Sequence, residues 1–235
     1  GEYYGGFYCP GDATGDIHKF TTGLAKASEK YGVKYLFGME VSDVQHHAKG
    51  VTVLYHASNE NVLLNTATVE SLEADAIVVC AGVGSYHLAN LLGDRVNIYP
   101  VKGYSITLNL NDQDSVKHAP WVSLLDESAK IVTSRLGADR LRVAGTAEFN
   151  GYNLDIRADR IQPLTDWVNK NFSISTENVV PWAGLRPMMP NMMPTVRRGK
   201  RERVFYNTGH GHLGWTLSAA TAVMISQEVA SQHPI

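Results

Sequence analysis

The 235-residue sequence is defined first by what it is short of. It has two cysteines, Cys9 and Cys80, too few for a disulfide framework and in keeping with a reducing compartment. No window approaches the ~18 apolar residues that a membrane-spanning helix needs, and residues 1–9 do not read as a signal peptide. Net charge is nearly absent: 21 basic against 23 acidic residues leave −2, with no electrostatic footprint for nucleic acid or an anionic membrane. The basic run Arg197, Arg198, Lys200, Arg201 is the exception and reads as a solvated loop between strands, with no partner assigned. The nine histidines show only two close spacings, His46-His47 on a predicted strand and His210-x-His212. Neither is a convincing ligand pair, so no metal is expected. There is no Gly-x-Ser-x-Gly nucleophile motif, no repeat and no low-complexity segment.

What is present is a 44% hydrophobic chain able to bury the core of one large or two modest domains. Residues 3–10 read as an extended aromatic arm. Ile17, Phe20, Leu24, Ala27 and Tyr31 recur at helical spacing, with Asp16 as a cap and Gly32 as a stop. Strands are predicted over 33–37, 40–47, 51–56, 61–68 and 69–74, the second and third joined by a hairpin turn at Ala48-Lys49-Gly50. Ile77-Val78-Val79-Cys80 is a continuous apolar run, as in a strand buried on both faces with Cys80 as a small buried hydrophobe. Ala81-Gly82 breaks it before a helix over 85–92. From residue 98 the pattern turns to longer strands, 99–110, 121–125, 130–135 and 141–144, with few helix signals, and reads as an antiparallel sheet. Residues 154–172 are helix-like, with Pro163 starting or kinking the helix.

The last quarter holds the features with most chemistry. Pro181-Trp182-Ala183-Gly184-Leu185-Arg186-Pro187 reads as a strand ending in an arginine. Val204-Phe205-Tyr206 leads through Asn207 and Thr208 into Gly209, His210, Gly211, His212, Leu213, Gly214, Trp215 and Thr216, then a helix over 216–231. A strand, a glycine turn and a helix N-terminus expose backbone N–H groups to a carbonyl or anion. The same pattern also serves as a plain tight connection in an α/β protein. Arg186 offers a planar fork that matches a carboxylate; its alternative is an ordinary salt bridge.

These two stretches resemble the C-terminal motifs of the FAD-dependent amino-acid oxidoreductases, and within that family the bacterial D-amino acid dehydrogenases most closely. The resemblance continues through Pro10-Gly11-Asp12-Ala13-Thr14-Gly15-Asp16 with Phe20-Thr21-Thr22, through Val78–Gly82 and through Tyr99–Thr107, in the family's order and over nearly the whole chain. It implies a mixed α/β fold: part of a Rossmann-like FAD-binding domain over 1–97 with inserted strands, an antiparallel substrate domain over 98–180, and a return to the FAD domain over 181–235. It implies FAD held by Val41, Ala81, Gly82, Gly184 and residues 209–216, with the substrate carboxylate at Arg186 and Tyr104 lining the substrate. Val41 reads equally as a core strand residue, and His210 and His212, as lone histidines, are more often structural. The implied reaction is oxidative deamination of a D-amino acid by hydride transfer from Cα, with electrons passed to a quinone-type acceptor. The alternatives are a glycine- or sarcosine-type amine oxidase and an inactive binding fragment. The implied location is the cytoplasm or the periphery of the inner membrane.

The family's Gly-x-Gly-x-x-Gly pyrophosphate fingerprint is not in these 235 residues, which implies that a dinucleotide-binding segment is supplied elsewhere. Other departures are Met189-Pro190-Asn191-Met192 for the usual Thr-Pro-Asp-Gly, Pro194-Thr195-Val196-Arg197 for Pro-Ile-Val-Gly, His212 for threonine, and Ala220 and Ala222 for glycines. A methionine in place of a turn glycine disfavours positive φ.

Overall fold

A computed structural model describes residues 3–58 and 68–232, so most of the strand expected over 61–68 lies outside the described residues. The fold is mixed α/β, in two compact units. The first takes residues 1–28, 103–148 and 154–184; the second takes 29–102, 149–153 and 185–235.

The first unit is built on a five-stranded sheet in the order β6-β7-β8-β5-β9. Its strands are β5 (Tyr99–Asn109), β6 (Leu125–Asp126), β7 (Ile131–Arg135), β8 (Arg140–Glu148) and β9 (Val179–Met188), of which β5 and β9 run on into the second unit. Tyr104, Ile106, Leu108, Ile131, Leu141 and Val143 point to one face and meet Leu164 and Val168 of helix α4 (Ala158–Asn171). Gly145 admits that helix closely: a Cβ there would lie 3.1 Å from Leu164. Helix α4 starts only after Arg157, whose backbone is extended, and it runs through Pro163. Helix α1 (Ile17–Glu29) forms as its spacing predicts, and the Asp16 carboxylate accepts from the Lys19 N–H at 3.2 Å. The strand expected over 121–125 shrinks to the two residues of β6. Thr133 replaces part of its ladder, with Oγ1 accepting from the Leu124 N–H at 3.0 Å. Helix α3 (Gln113–His118) was not anticipated, although Asp112 carries the cap signal and accepts from the Ser115 N–H at 2.7 Å.

The second unit contains a meander of β1 (Met39–His47), β2 (Gly50–Ala57) and β3 (Glu70–Ala74), with His47 paired to Gly50 across the expected turn. Gly50 has a second reason to be glycine, since a Cβ would lie 2.1 Å from the Ala74 carbonyl oxygen. Residues 33–37 form no strand; Tyr35 and Phe37 stack with ring centroids 5.3 Å apart. A second sheet has the order β10-β11-β4: β10 (Thr195–Arg198) antiparallel to β11 (Val204–Thr208), and β11 parallel to β4 (Ile77–Val79). Helices α2 (Ser85–Leu91) and α5 (Gly214–Gln232) follow β4 and β11.

The expectation that 77–80 is buried on both faces fails in part. Val79 is buried, but Val78 is 38% exposed and Cys80 is exposed, because β4 is the edge strand of its sheet among the described residues. The basic run is likewise more than a solvated loop. Arg197 and Arg198 lie on β10, and the chain beyond them wraps a buried carboxylate, Asp94. Asp94 accepts from the Lys200 N–H at 3.0 Å and the Tyr206 hydroxyl at 3.1 Å, with the Arg197 guanidinium 3.9 Å away. Arg198 pairs with Glu228 of α5 at 2.6 Å. Arg197 and Arg198, adjacent in sequence, thus find carboxylate partners that only tertiary structure supplies.

Candidate functional site

Parallel strands β4 and β11 end side by side, and each runs into a turn and then a helix. This is the carboxyl edge of a parallel pair, where open α/β sheets place their ligands. The two turns are tied together: Ser85 and Thr208 share a hydrogen bond of 2.7 Å between hydroxyls, and the Thr208 hydroxyl reaches the Gly82 carbonyl at 3.4 Å. The sheet thereby brings Ala81-Gly82, after β4, beside Gly209, after β11.

The turn after β11 needs its glycines. Gly209 has φ +78° and Gly211 φ +58°, a region that costs a residue bearing Cβ ~1–2 kcal/mol. Space is short as well: a Cβ on Gly209 would lie 2.7 Å from Met189 Cγ, and one on Gly211 2.8 Å from Met188 Sδ. The Gly211 N–H donates to the Pro187 carbonyl at 3.0 Å. The turn therefore packs on the end of β9, immediately after Arg186. Met192, expected to resist positive φ, adopts φ +61°. Its N–H donates to the Met189 carbonyl at 3.0 Å, and Asn191 Oδ1 accepts from the Met193 N–H at 3.1 Å, so local hydrogen bonds hold a conformation that glycine would take freely.

The remaining expected residues fall as follows. The His210 ring turns back onto α5, Nε2 lying 3.1 Å from Thr221 Oγ1, and burial pushes its pKa down. Its side chain braces the helix while its backbone shapes the turn. His212 and Leu213 complete the turn, and Gly214, Trp215 and Thr216 open α5. Val41 lies on β1 beside a register shift between Val41 and Asp43. Gly184 lies on β9 in the first unit, so close under the Trp182 ring that a Cβ would be 2.1 Å from it. Tyr104 is also in the first unit, 1% exposed, its hydroxyl donating to Glu148 at 2.5 Å. Glu148 in turn accepts from Arg157 at 3.0 Å. Sequence reasoning passed over Ser85 and Met188 and noted Met189 only as a departure from the family's motif; all three clamp the turn.

The residues present suit a flavin at this edge. Gly82 has φ +55° with no atom within 4 Å of where a Cβ would stand, leaving room for a flat ligand against the backbone. Asn207 Oδ1, just before the turn, is buried with no hydrogen-bond partner among the described residues. Among those residues no three His, Cys, Asp or Glu side chains converge as metal ligands, and no helix is long and apolar enough to cross a membrane.

Residues 1–228 match the FAD dependent oxidoreductase family, and the chain belongs to it. Within that class it is 56% identical, over its whole length, to D-amino acid dehydrogenase 3 of Mesorhizobium japonicum (strain LMG 29417 / CECT 9101 / MAFF 303099), of which it covers 55%. It is 39% identical over 99% of its length to the D-amino acid dehydrogenase of Methylobacterium sp. (strain 4-46), covering 52% of that protein. The chain spans about half the length of the curated relatives it matches. Its fold is that of glycine oxidase from Geobacillus kaustophilus (TM-score 0.72, 18% identity, 90% of this chain and 53% of that one). It is also that of iminodiacetate oxidase from Chelativorans sp. BNC1 (TM-score 0.73, 17% identity, 92% and 55%).

Proposed function

We propose that the chain belongs to an FAD-dependent D-amino acid dehydrogenase and carries the end of β9 and the glycine turn that serve its substrate and flavin. The observation that carries this reading is the clamp between Gly211 and Pro187, which holds the arginine-bearing end of β9 against the glycine turn. The backbone of residues 209–216 and the open edge at Ala81-Gly82 would hold the flavin, with Val41 and Gly184 as further contacts. Bound FAD would supply the two-electron acceptor for the hydride on the substrate Cα. Arg186 takes the substrate carboxylate through its two-pronged fork and so fixes the direction in which Cα points. The neutral amine lone pair assists as the C–H bond breaks, so no side-chain base is required; water then releases the 2-oxo acid and ammonia. Tyr104 contributes indirectly, holding Glu148 within the substrate-binding sheet. The pyrophosphate would rest on a dinucleotide-binding segment outside these residues, and a quinone-type molecule would take the electrons.

A visible spectrum tests the reading. Protein completed with the family's N-terminal segment should retain flavin through gel filtration and absorb near ~450 nm, the isoalloxazine band. Anaerobic addition of a D-amino acid should bleach that band and the L-enantiomer should not. A colourless completed protein, or equal bleaching by both, would refute it.

A further inference from the structure

Within the second unit, the turn that joins β10 to β11 meets the loop that follows α2 at the amino end of β11. The glycine turn leaves the other end of that strand, whose five residues span ~15 Å. Asp94 makes the joint by accepting from the Lys200 N–H and the Tyr206 hydroxyl. Gly199 lets the turn come so near, since a Cβ there would lie 2.6 Å from Asp94 Oδ2. Lys200 Nζ reaches back to the Gly93 carbonyl at 3.4 Å, and the Arg201 guanidinium lies 3.6 Å from where a Cβ of Gly93 would stand. Arg197 donates to the Arg95 carbonyl at 3.5 Å, across 102 positions of sequence.

The clasp gathers charge of one sign. Residues 93–97 and 197–203 hold six cations and two carboxylates, an excess of four in a chain whose total is −2. Glu228 takes Arg198, and Arg203 turns to the Asp75 carbonyl at 3.3 Å. The other four, Arg95, Arg197, Lys200 and Arg201, are exposed. Asp94, itself buried, is the one carboxylate within 4.0 Å of any of them among the described residues. Their further partners are neutral: Arg197 donates to the Arg198 carbonyl at 2.8 Å, and Arg95 to Asn97 Oδ1 at 2.8 Å. A neutral oxygen fixes a cation's place without cancelling its charge, so the four stand ordered and ready for an anion. Burial, then Asp94, raise the pKa of the Tyr206 hydroxyl, while Arg197 and Arg201 both oppose the rise, as cations gathered about one point do. A carboxylate would bring such a group a single charge. A phosphate brings nearly two, on three oxygens that each accept from a guanidinium edge.

We propose that this clasp binds a phosphate-bearing anion, with Arg95, Arg197 and Arg201 presenting guanidinium edges and Lys200 a point charge. A free phosphate compound and a phospholipid headgroup offer the same chemistry, and the test separates them. The site does not depend on the flavin reading; failure to hold flavin would leave its test unaffected.

Pyrophosphate is the probe. Titrated by calorimetry into the full-length protein at constant ionic strength, it should bind saturably. Arg95→Gln and Arg201→Gln should each weaken binding about three- to tenfold, and the double variant more than tenfold, the range for charge-assisted contacts at an exposed site. Neither arginine has a carboxylate partner, so both variants should melt with the parent and loss of fold cannot account for the loss of binding. Sedimentation with phosphatidylglycerol vesicles assigns the source: a free compound if the protein stays in solution, a headgroup if it sediments and pyrophosphate releases it. No saturable binding of pyrophosphate, an affinity unchanged in the double variant, or sedimentation that pyrophosphate does not reverse would overturn the proposal.

Discussion

Replacing Gly211 with valine strikes the glycine turn where its geometry is best defined. Three costs add. The backbone sits at φ +58°, where a β-branched residue is a steric outlier, at ~1–2 kcal/mol. The new Cβ stands 2.8 Å from Met188 Sδ, so a flexible side chain must move, a smaller term. The Gly211 N–H bond to Pro187, worth ~0.5–1.5 kcal/mol, is then strained or lost. Together they come to ~2–4 kcal/mol, and at ~2–4 °C per kcal/mol in a protein of this size Tm should fall by about 5–15 °C. On the proposed flavin site, flavin retention should fall further than Tm explains. Gly211→Asn should be milder, since asparagine tolerates left-handed backbone. Gly82→Ala is the sharper comparison. Its φ is +55°, but no protein atom lies within 4 Å of the new methyl, so packing predicts only the conformational cost. Thermal melts and flavin absorbance after gel filtration, for all four proteins, decide the matter. If Gly211→Val lowers Tm while Gly82→Ala and Gly211→Val both keep full flavin, the turns are structural and the flavin lies elsewhere. If Gly211→Val melts with the parent, the turn is not held as described.

Substitutions at three further positions test the rest of the scheme. Arg186→Lys should lower kcat/KM for D-amino acids roughly tenfold to a hundredfold, the worth of a charge-assisted contact at ~1.5–3 kcal/mol, with Arg186→Ala lower still. An amine without a carboxylate should hardly respond, and equal losses for both would make Arg186 structural. Asp94→Ala should cost ~3–5 kcal/mol by leaving Tyr206 and the Lys200 N–H without their buried acceptor, lowering Tm by about 10 °C; a change under about 2 °C would show that the basic run needs no anchor. Asp126 has its pKa held down to about 2, first by the Ala129 N–H, then by the Trp167 indole and the Tyr3 hydroxyl. Because the folded value lies below the unfolded 3.8, this stabilisation is present above about pH 4 and is lost as pH falls toward 2. Asp126→Asn should therefore flatten the drop in Tm over that window, and an acid limb as steep as the parent's would refute the assignment.

Local rules determined much of this protein without tertiary help. The spacing of Ile17, Phe20 and Leu24 with Asp16 in front fixes helix α1, because helix periodicity and capping act within a few residues. The hairpin turn before Gly50, the sheet strands after residue 98, and the strand, glycine turn and helix at 204–232 are legible for the same reason. The motif around Arg186 is likewise continuous in sequence. Long-range partners decided the rest. Residues 33–37 have strand composition but acquire no ladder, and within 121–125 the Leu124 N–H goes to the Thr133 side chain. Arg197 and Arg198 look like a solvated charge run until Asp94 and Glu228 arrive from elsewhere in the chain. Gly50 needs to be glycine because Ala74 passes 24 positions later, and Gly211 because Met188 passes before it. Tyr104 sits in a motif that resembles a substrate contact, yet strand alternation turns it into the core and onto Glu148. Arg142 carries no motif at all; only the pairing of β5, β8 and β9 sets its guanidinium over Trp182. Periodicity and capping are properties of a few consecutive residues. Which cation finds a carboxylate, and which face of a sheet stays open, depends on residues tens of positions apart, and their meeting is settled only when the whole chain packs.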